Sequence, residues 1–516
     1  MQPETQKANL RGDSPARFFR MFRVFRGPSK PMTLRKQGTL LFCLLFFCYS
    51  YIHQRMGWNQ NSRLDLLHAL FVHKTFKIDA YHENTGDKSI HDGHYYSDKA
   101  PGIVFLAIPA FAASVGILNF VDVPLDSPRG WLASSWITTA GSVGWITAMG
   151  GVAMFVFLSK MVGQRDAYIT TLAVFLGSLP FPYATMLFSH AAVIGLICIA
   201  LWAIGDGVFW SRMIRPGADA TPDVVAVAEG GSHCAMGQER PWAWRHLLAG
   251  LCCGLAISSE YTAATAAGGV LALALIAHWR RGVLLGLGAV PALLLIPIYN
   301  WVCFGGPLAF GYHHLALPEF QAMNQGLFGI TFPPKASAAY LILLSPERGL
   351  FFWSPFFLMA FFGTKHPWRL SRPLWLVAWS VVIVHVICIS GYYMPGGGAA
   401  LGPRHLAPML PFAVLAATSG LSRWPRVGCY CGYLAIVFTG LGTFVEAMPP
   451  DGLANPAMNL HLPRFCDGLV AQNLGYLLGL PQFVSILWLV GFLIVLYGKL
   501  VGSSGGRVVN AAAVTG

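Results

Sequence analysis

A chain of 516 residues with 55% hydrophobic and only 11% charged side chains is not a soluble globular protein, since soluble domains carry about 25% charged residues. The formal net charge of +13 does not mark a nucleic-acid binder. The basic residues gather in short loops and near the N-terminus, as they do on the cytoplasmic side of a membrane. The eleven cysteines lie mostly inside apolar runs, with no CxxC pair and no His/Cys zinc spacing, so they read as small core hydrophobes. The expected fold is all-α: a polytopic transmembrane helical bundle of about 12 spans, plus a re-entrant or interfacial segment in the first outer loop.

In chain order, residues 1–37 form a basic cytoplasmic tail. Its stretch "RFFRMFRVFRG" alternates arginines with aromatics, which suits an amphipathic helix on an anionic surface or a disordered basic tail that sets orientation. No cleavable signal peptide is read there. A first span covers about 38–53, followed by a long polar loop and an apolar stretch at 101–121. If 101–121 crossed the membrane, Lys160, Arg165, Arg280, Arg281, Lys365, Arg369, Arg372, Arg423 and Arg426 would all fall outside. If it dips in and returns, every one of them falls inside, where basic loops belong. The remaining spans are then about 131–159, 167–183, 189–210, 246–259, 262–278, 282–302, 349–363, 374–391, 404–421, 428–446 and 481–500. Outer loops cover 54–130, 303–348, 392–403 and 447–480. A polar, Gly/Pro-rich cytoplasmic insert occupies 211–245, and 501–516 is a cytoplasmic tail. Gly250 and Gly254 are spaced for close helix packing, and no internal repeat is visible. The expected location is a bacterial cytoplasmic (inner) membrane, with the N-terminus in the cytoplasm.

The chemistry collects on the outer side. The loop "HENTGDKSIHDGHYYSDKAPG", His82–Gly102, is dense in acids, bases and tyrosines. Further polar loops are "YNWVCFGGPLAFGYHHLALPEF", "LLSPERG" with Glu347 and Arg348, "GYYMPGGGAALGPRHLAPMLP", and a turn at Glu260 and Tyr261. Charge at a membrane boundary is costly unless paired or functional. Carboxylates beside a few cations suit one reaction class: a carboxylate takes a proton from an acceptor hydroxyl or amine, and Lys or Arg stabilises the anion developing on a leaving lipid phosphate. There is no nucleotide-binding P-loop, no Asp-x-Asp of the metal–nucleotide-sugar kind and no G-x-S-x-G elbow. His313 and His314 are adjacent, and adjacent side chains point apart on most backbones. A divalent metal is therefore left open, with no ligand set assigned.

"DGHYYSDKAPG" resembles the Lys-Pro-Pro-type loop motif of the GT-C membrane glycosyltransferases, which include protein O-mannosyltransferases and the lipid A aminoarabinose transferase. "YNWVCFGGPLAFGY", "SPERGLFFWSPF" and "GPRHLAPMLPF" resemble a bacterial branch of that superfamily, and the resemblance runs from about Trp58 to Pro411. It implies a GT-C-like transmembrane domain over 38–500 with interfacial helices in the first outer loop. It implies a hexosyl- or pentosyltransferase that uses a polyprenyl-phosphate-linked sugar, works on the non-cytoplasmic side and inverts the sugar carbon. Membrane lipids are the expected surroundings, the acceptor is an unspecified glycan, lipid or protein, and nucleic acid is not a partner. One position departs from the pattern: "WNQNSRLD" carries Gln60 and Asn61 where family members carry an acid after the first span.

The base must then be another carboxylate. Asp79, Asp87 and Asp65 are the candidates. Asp79 is slightly favoured because "LDLLHALFVHKTFKI" reads as an amphipathic interfacial helix ending near Lys77, which would hold Asp79 partly desolvated and more basic at the membrane surface. Lys99 and Arg404 are the candidate phosphate ligands. Asp98, Tyr95, Tyr96, His94, Arg348 and Glu260 are further candidate substrate contacts, although Glu347–Arg348 reads more readily as an internal ion pair. Two other readings remain: a transporter or flippase of a lipid-linked or polar solute, which would favour inverted repeats and broken helices at the midplane, and a catalytically degenerate scaffold.

Overall fold

A computed structural model describes residues 33–54, 57–214, 242–363, 370–487 and 489–491. The "RFFRMFRVFRG" tail, most of the 211–245 insert and the 501–516 tail lie outside these residues, as does most of the expected last span. The chain is an α-helical polytopic membrane protein. Helix α1 (Leu34–Tyr51) leads into the first loop, where α2 is Trp58–His68. Then follow α3 (Gly102–Phe120), α4 (Pro128–Val162), α5 (Ser189–Ile204), α6 (Trp242–Ser259), α7 (Trp279–Phe304), α8 (Arg372–Ser390), α9 (Arg404–Arg423) and α10 (Pro425–Val445).

Among the described residues, α3, α4, α7, α8, α9 and α10 are long and apolar enough to cross a membrane, and α5 joins them if it is counted with Gly207–Met213, to which it is bent by 86°. These six or seven are fewer than the twelve expected spans. Apolar runs read as single spans are broken here. The run at 167–183 divides into Gln164–Phe175 and Pro180–Ala184, and the run at 349–363 into Leu350–Trp353 and a 3₁₀ stretch from Pro355. Proline removes a backbone donor and ends the regular helix. Residues 102–120 form one unbroken helix with no turn at which to dip and return. The loop-charge argument for that segment is therefore met only by an interfacial placement.

Helix α5 is the core of the bundle. Fourteen of its sixteen residues are buried, as expected for a helix apolar on every side. It meets α4 at close range: a Cβ on Gly150 would run into the Gly195 backbone, and a Cβ on Gly195 into the backbone of Ile146 and Thr147. Gly250 and Gly254 of α6 lie against Leu285 and Ala289 of α7 in the same way, which is the close packing their spacing suggests.

In the first loop, α2 continues through a π turn, Ala69–His73, and stops at Lys74, whose φ is 54°. The helix therefore ends before Lys77, and eight of its eleven residues are buried rather than one face only. Two short strands follow, β2 (Lys88–His91) and β3 (His94–Ser97), joined through Asp92 and Gly93 at φ 49° and 76°. Two successive positive φ values are those of a tight hairpin turn, and Asp-Gly is a preferred pair for it. The register pairs Lys88 with Ser97 and His91 with His94. The hairpin is anchored at its base: Tyr299 Oη donates to Ser97 O at 2.9 Å, Ser62 and Ser97 share a hydroxyl contact of 2.7 Å, and Ser89 Oγ donates to Gly311 O at 2.7 Å. A second strand pair, β1 (Ile52–His53) with β4 (Gln472–Asn473), ties the end of α1 to the segment after α10.

Candidate functional site

The hairpin register brings the site's charges together. Because Lys88 faces Ser97, the residues just beyond them, Asp87 and Asp98, emerge at the same open end. Lys99 Nζ lies between their carboxylates, 3.1 Å from Asp87 and 3.2 Å from Asp98. All three line a cavity of about 600 Å³ with Arg63, Glu260 and Arg404. Burial alone would drive the Lys99 ammonium toward neutrality, but Asp87 and Asp98 outweigh it and raise its pKa. Burial pushes the Asp98 carboxyl up against the opposing pull of Lys99, and one of its oxygens has no partner among the described residues.

Two guanidinium groups complete the cationic wall. Arg63, on α2, donates to Asn59 O at 2.8 Å and reaches Ser189 Oγ at 3.5 Å. Ser189 Oγ donates to Glu260 Oε2 at 2.9 Å, and His190 Nδ1 stands 3.5 Å from that oxygen. Arg63 and Arg404 both lie on the ring of Phe188, at 5.9 and 5.3 Å from its centroid, within cation–π range. Nε of each guanidinium is buried without a partner among the described residues, so both retain donor capacity for a ligand. Arg404 is held by the glycine loop before it. Gly397, at φ 80°, comes so close that a Cβ there would stand 2.7 Å from Arg404 Nε. Arg348 is fully buried behind that loop, donating to Gly398 O at 2.9 Å and Pro450 O at 3.2 Å. Its carboxylate neighbour is Asp451, at 3.5 Å, and Glu347 instead accepts from Gly452 N–H. Arg348 is internal, and it meets Glu347 only through that residue's main-chain oxygen, at 3.3 Å, rather than through the carboxylate of the expected ion pair.

The final glycine of the "KAPG" step allows a close approach. A Cβ on Gly102 would meet Ser258 C and Ser259 N at 2.6 Å. The start of α3 therefore lies directly against the end of α6, next to Glu260. Gly102→Ala should cost about 1–3 kcal/mol through overpacking and displace Lys99 from the cavity, lowering both the melting temperature in detergent and the turnover. An unchanged melting curve would contradict this contact.

The other candidates lie elsewhere. Asp79 does not line the cavity. It accepts from Tyr95 N–H at 2.7 Å and from His94 Nδ1 at 2.8 Å. Burial is the largest single influence and would raise its pKa, but the Tyr95 N–H, His94 and Lys77 together outweigh it, so its pKa is lowered, the reverse of the more basic carboxylate expected. His94 is thereby engaged with Asp79. Tyr95 stacks on His82 at 3.8 Å, and Tyr96 packs edge-on to Phe304 at 5.5 Å. None of these three lines the cavity.

Asp65, on α2, is fully buried, accepting from Asn84 Nδ2 at 3.0 Å, and burial raises its pKa from 3.8 to about 8 despite that hydrogen bond. A carboxyl with a raised folded-state pKa favours folding when protonated. Its contribution is full below the unfolded value near 3.8, falls between about 4 and 8, and is gone above about 8, because the unfolded chain releases the proton first. Asp65→Asn should remove this loss, raising stability at neutral pH by roughly 1–3 kcal/mol and flattening melting temperature against pH over that window. A parallel pH profile in the variant would show that Asp65 does not titrate this way.

Gln60 and Asn61, where the family pattern has an acid, make local contacts: Gln60 Oε1 accepts from Leu187 N–H at 3.1 Å, and Asn61 Nδ2 donates to Asn84 O at 2.7 Å. Most of the other lining residues went unpredicted from sequence, Arg63, His190 and Tyr392 among them. Arg63 stood within the quoted "WNQNSRLD", and His190 is a lone ionisable group at the head of an apolar run, a recognisable signal. Among the described residues, no group of three or more His, Cys, Asp or Glu side chains is placed to hold a metal ion.

No family model matches the chain, and no curated protein matches it. Among solved structures it is similar to ArnT from Cupriavidus metallidurans in the apo state, at 14% identity and TM-score 0.43 over 76% of this chain and 62% of that one. It is also similar to ArnT bound to undecaprenyl phosphate, at 13% identity and TM-score 0.47, covering 95% and 76% of the two chains. A third likeness is to the Archaeoglobus fulgidus oligosaccharyltransferase in the apo form, at 12% identity and TM-score 0.36, covering 81% and 56%. The chain thus spans less than two thirds of the length of the first and third of these proteins.

Proposed function

We propose that this chain is a GT-C-type membrane glycosyltransferase that moves a sugar from a polyprenyl-phosphate donor to an acceptor hydroxyl at the outer face of the membrane. The observation that carries the reading is Lys99 held between Asp87 and Asp98 at the edge of a cavity that also holds Arg63 and Arg404. A phosphate entering there meets three cations, two of them with unpartnered buried nitrogens. Lys99 turns from Asp87 to the phosphate, which releases the Asp87 carboxylate to act as base. The acceptor oxygen then bonds to the sugar's anomeric carbon as the carbon–oxygen bond to phosphate breaks. The acceptor proton passes to Asp87, and the electron pair leaves with the polyprenyl phosphate, stabilised by Lys99 and the arginines. A single displacement of this kind inverts the anomeric centre. The motif resemblance of "DGHYYSDKAPG" supports the donor class, and the loop-charge pattern supports the outer face with the N-terminus in the cytoplasm.

The test uses the purified full-length chain in lipid nanodiscs with radiolabelled polyprenyl-phosphate sugars. Sugar-dependent release of free polyprenyl phosphate, with label appearing on an acceptor, supports the proposal. Donor that binds and is never cleaved, or is moved intact across the bilayer, overturns it in favour of a scaffold or a flippase.

A further inference from the structure

A second hollow of about 460 Å³ opens on the first loop, lined by Asp79, Tyr81, His82, Glu83, Asn84 and Trp131 together with Ala80. Its size falls within the ~300–1,000 Å³ typical of small-molecule sites. Its walls are of two kinds. One is aromatic: the Tyr81 and Trp131 rings lie 5.6 Å apart at 46°. Both are held in place. The buried imidazole of His68 stacks on Trp131 at 3.9 Å, and the Tyr81 hydroxyl is within 3.3 Å of His73 Nε2 and 3.4 Å of Asp126 Oδ1. The other wall carries hydrogen-bonding groups: the exposed Glu83 carboxylate and the Asn84 amide, whose nitrogen is tied to Asp65 while its oxygen is not. Among the described residues, neither Lys nor Arg lines the hollow. The nearby Lys88 ammonium is turned onto His82 O at 2.5 Å and over the Tyr95 ring.

We infer that this hollow binds a neutral carbohydrate and is the acceptor-glycan subsite; as an acceptor subsite it rests on the transferase reading. Rigid aromatic rings offer a flat apolar surface to the C–H face of a sugar at little entropic cost. Carboxylate and amide oxygens accept from its hydroxyls. A wall with two acids and no Lys or Arg repels phosphorylated or uronate sugars. The link to the reaction centre is direct, because the segment that lines the hollow through Asn84 reaches the inner cavity at Asp87. Three residues of extended chain span roughly 11 Å at most, so a short oligosaccharide resting on Trp131 brings its end to the base.

The test is saturation-transfer NMR on the full-length chain in detergent, with maltotriose, mannotriose and chitotriose as neutral probes and trigalacturonate as an acidic one. Binding of at least one neutral probe, weakened about tenfold or more in Glu83→Gln and in Trp131→Ala and retained in Asp87→Asn, supports the subsite. Absence of neutral-probe binding to the folded wild type, equal binding of trigalacturonate, or unchanged affinity in Glu83→Gln overturns it. If Trp131→Ala does not fold, Glu83→Gln decides. Sugar binding without polyprenyl-phosphate release would sink the transferase reading while leaving a carbohydrate site in place.

Discussion

Replacing Asp87 with asparagine should lower sugar transfer by roughly 10²–10⁴-fold, the range for losing a positioned general base, while donor binding survives. The substitution preserves shape. The Asp87 backbone N–H still donates to Thr85 Oγ1 at 3.1 Å, so the hairpin base stays closed, and Asp98 still neutralises Lys99 from the other side. What is lost is the one carboxylate that is both within reach of Lys99 and, unlike Asp98 at 1% side-chain exposure, open at 12%. Turnover and donor affinity measured on the same preparation separate the two effects. Full turnover in Asp87→Asn would remove this carboxylate from the mechanism and leave Glu260 as the next base in the cavity.

Lys99→Ala should cost roughly 10²–10³-fold in rate, the scale for removing one donor to a developing anion. The loss should fall on both donor binding and turnover, because two things change together. The leaving phosphate loses its nearest ammonium, and Asp87 and Asp98 are left facing each other with no cation between them. Repulsion then forces a proton onto the pair, so the base itself is compromised at neutral pH. Activity in Lys99→Ala should accordingly rise with pH more steeply than in the wild type, as that proton is lost. Arg404→Ala removes a phosphate ligand without disturbing the carboxylates and should depress the rate with the wild-type pH profile retained. If Lys99→Ala and Arg404→Ala both turn over normally, the phosphate does not sit here.

Much of this site could be read from the sequence. The Asp92-Gly93 pair within "SIHDGHYYS" is a hairpin signal, and once its register is set, Asp87 and Asp98 fall opposite each other without further information. Helical periodicity instead favours Asp79 over Asp87, through a helix expected to reach Lys77. The helix stops at Lys74, so Asp79 comes to lie where the Tyr95 amide and His94 hold it. A periodicity argument cannot see a left-handed residue end a helix, nor a partner that arrives from a strand sixteen positions on. Lys99, Arg404, Asp98 and Glu260 were legible because ionisable groups beside apolar runs are conspicuous. Their meeting with His190 and Tyr392 was not, since it depends on how helices far apart in sequence pack. Breaks within apolar runs were equally hidden: hydropathy registers an apolar run whether it is one helix or, as at 167–183, two short ones broken at proline.

The hairpin also bears on how the protein is made. Its three charged groups come from one short stretch of chain, and a hairpin closes in about 1–10 μs. The Asp87–Lys99–Asp98 cluster can therefore assemble as soon as the first loop has been synthesised, while Arg348 and Arg404 are still to come. Lys99 is satisfied from the outset and waits for nothing downstream, so the loop does not expose a bare ammonium to lipid during insertion. Only the later docking of the glycine loop, with its far larger sequence separation and slower closure, turns a self-contained charge cluster into half of a binding site.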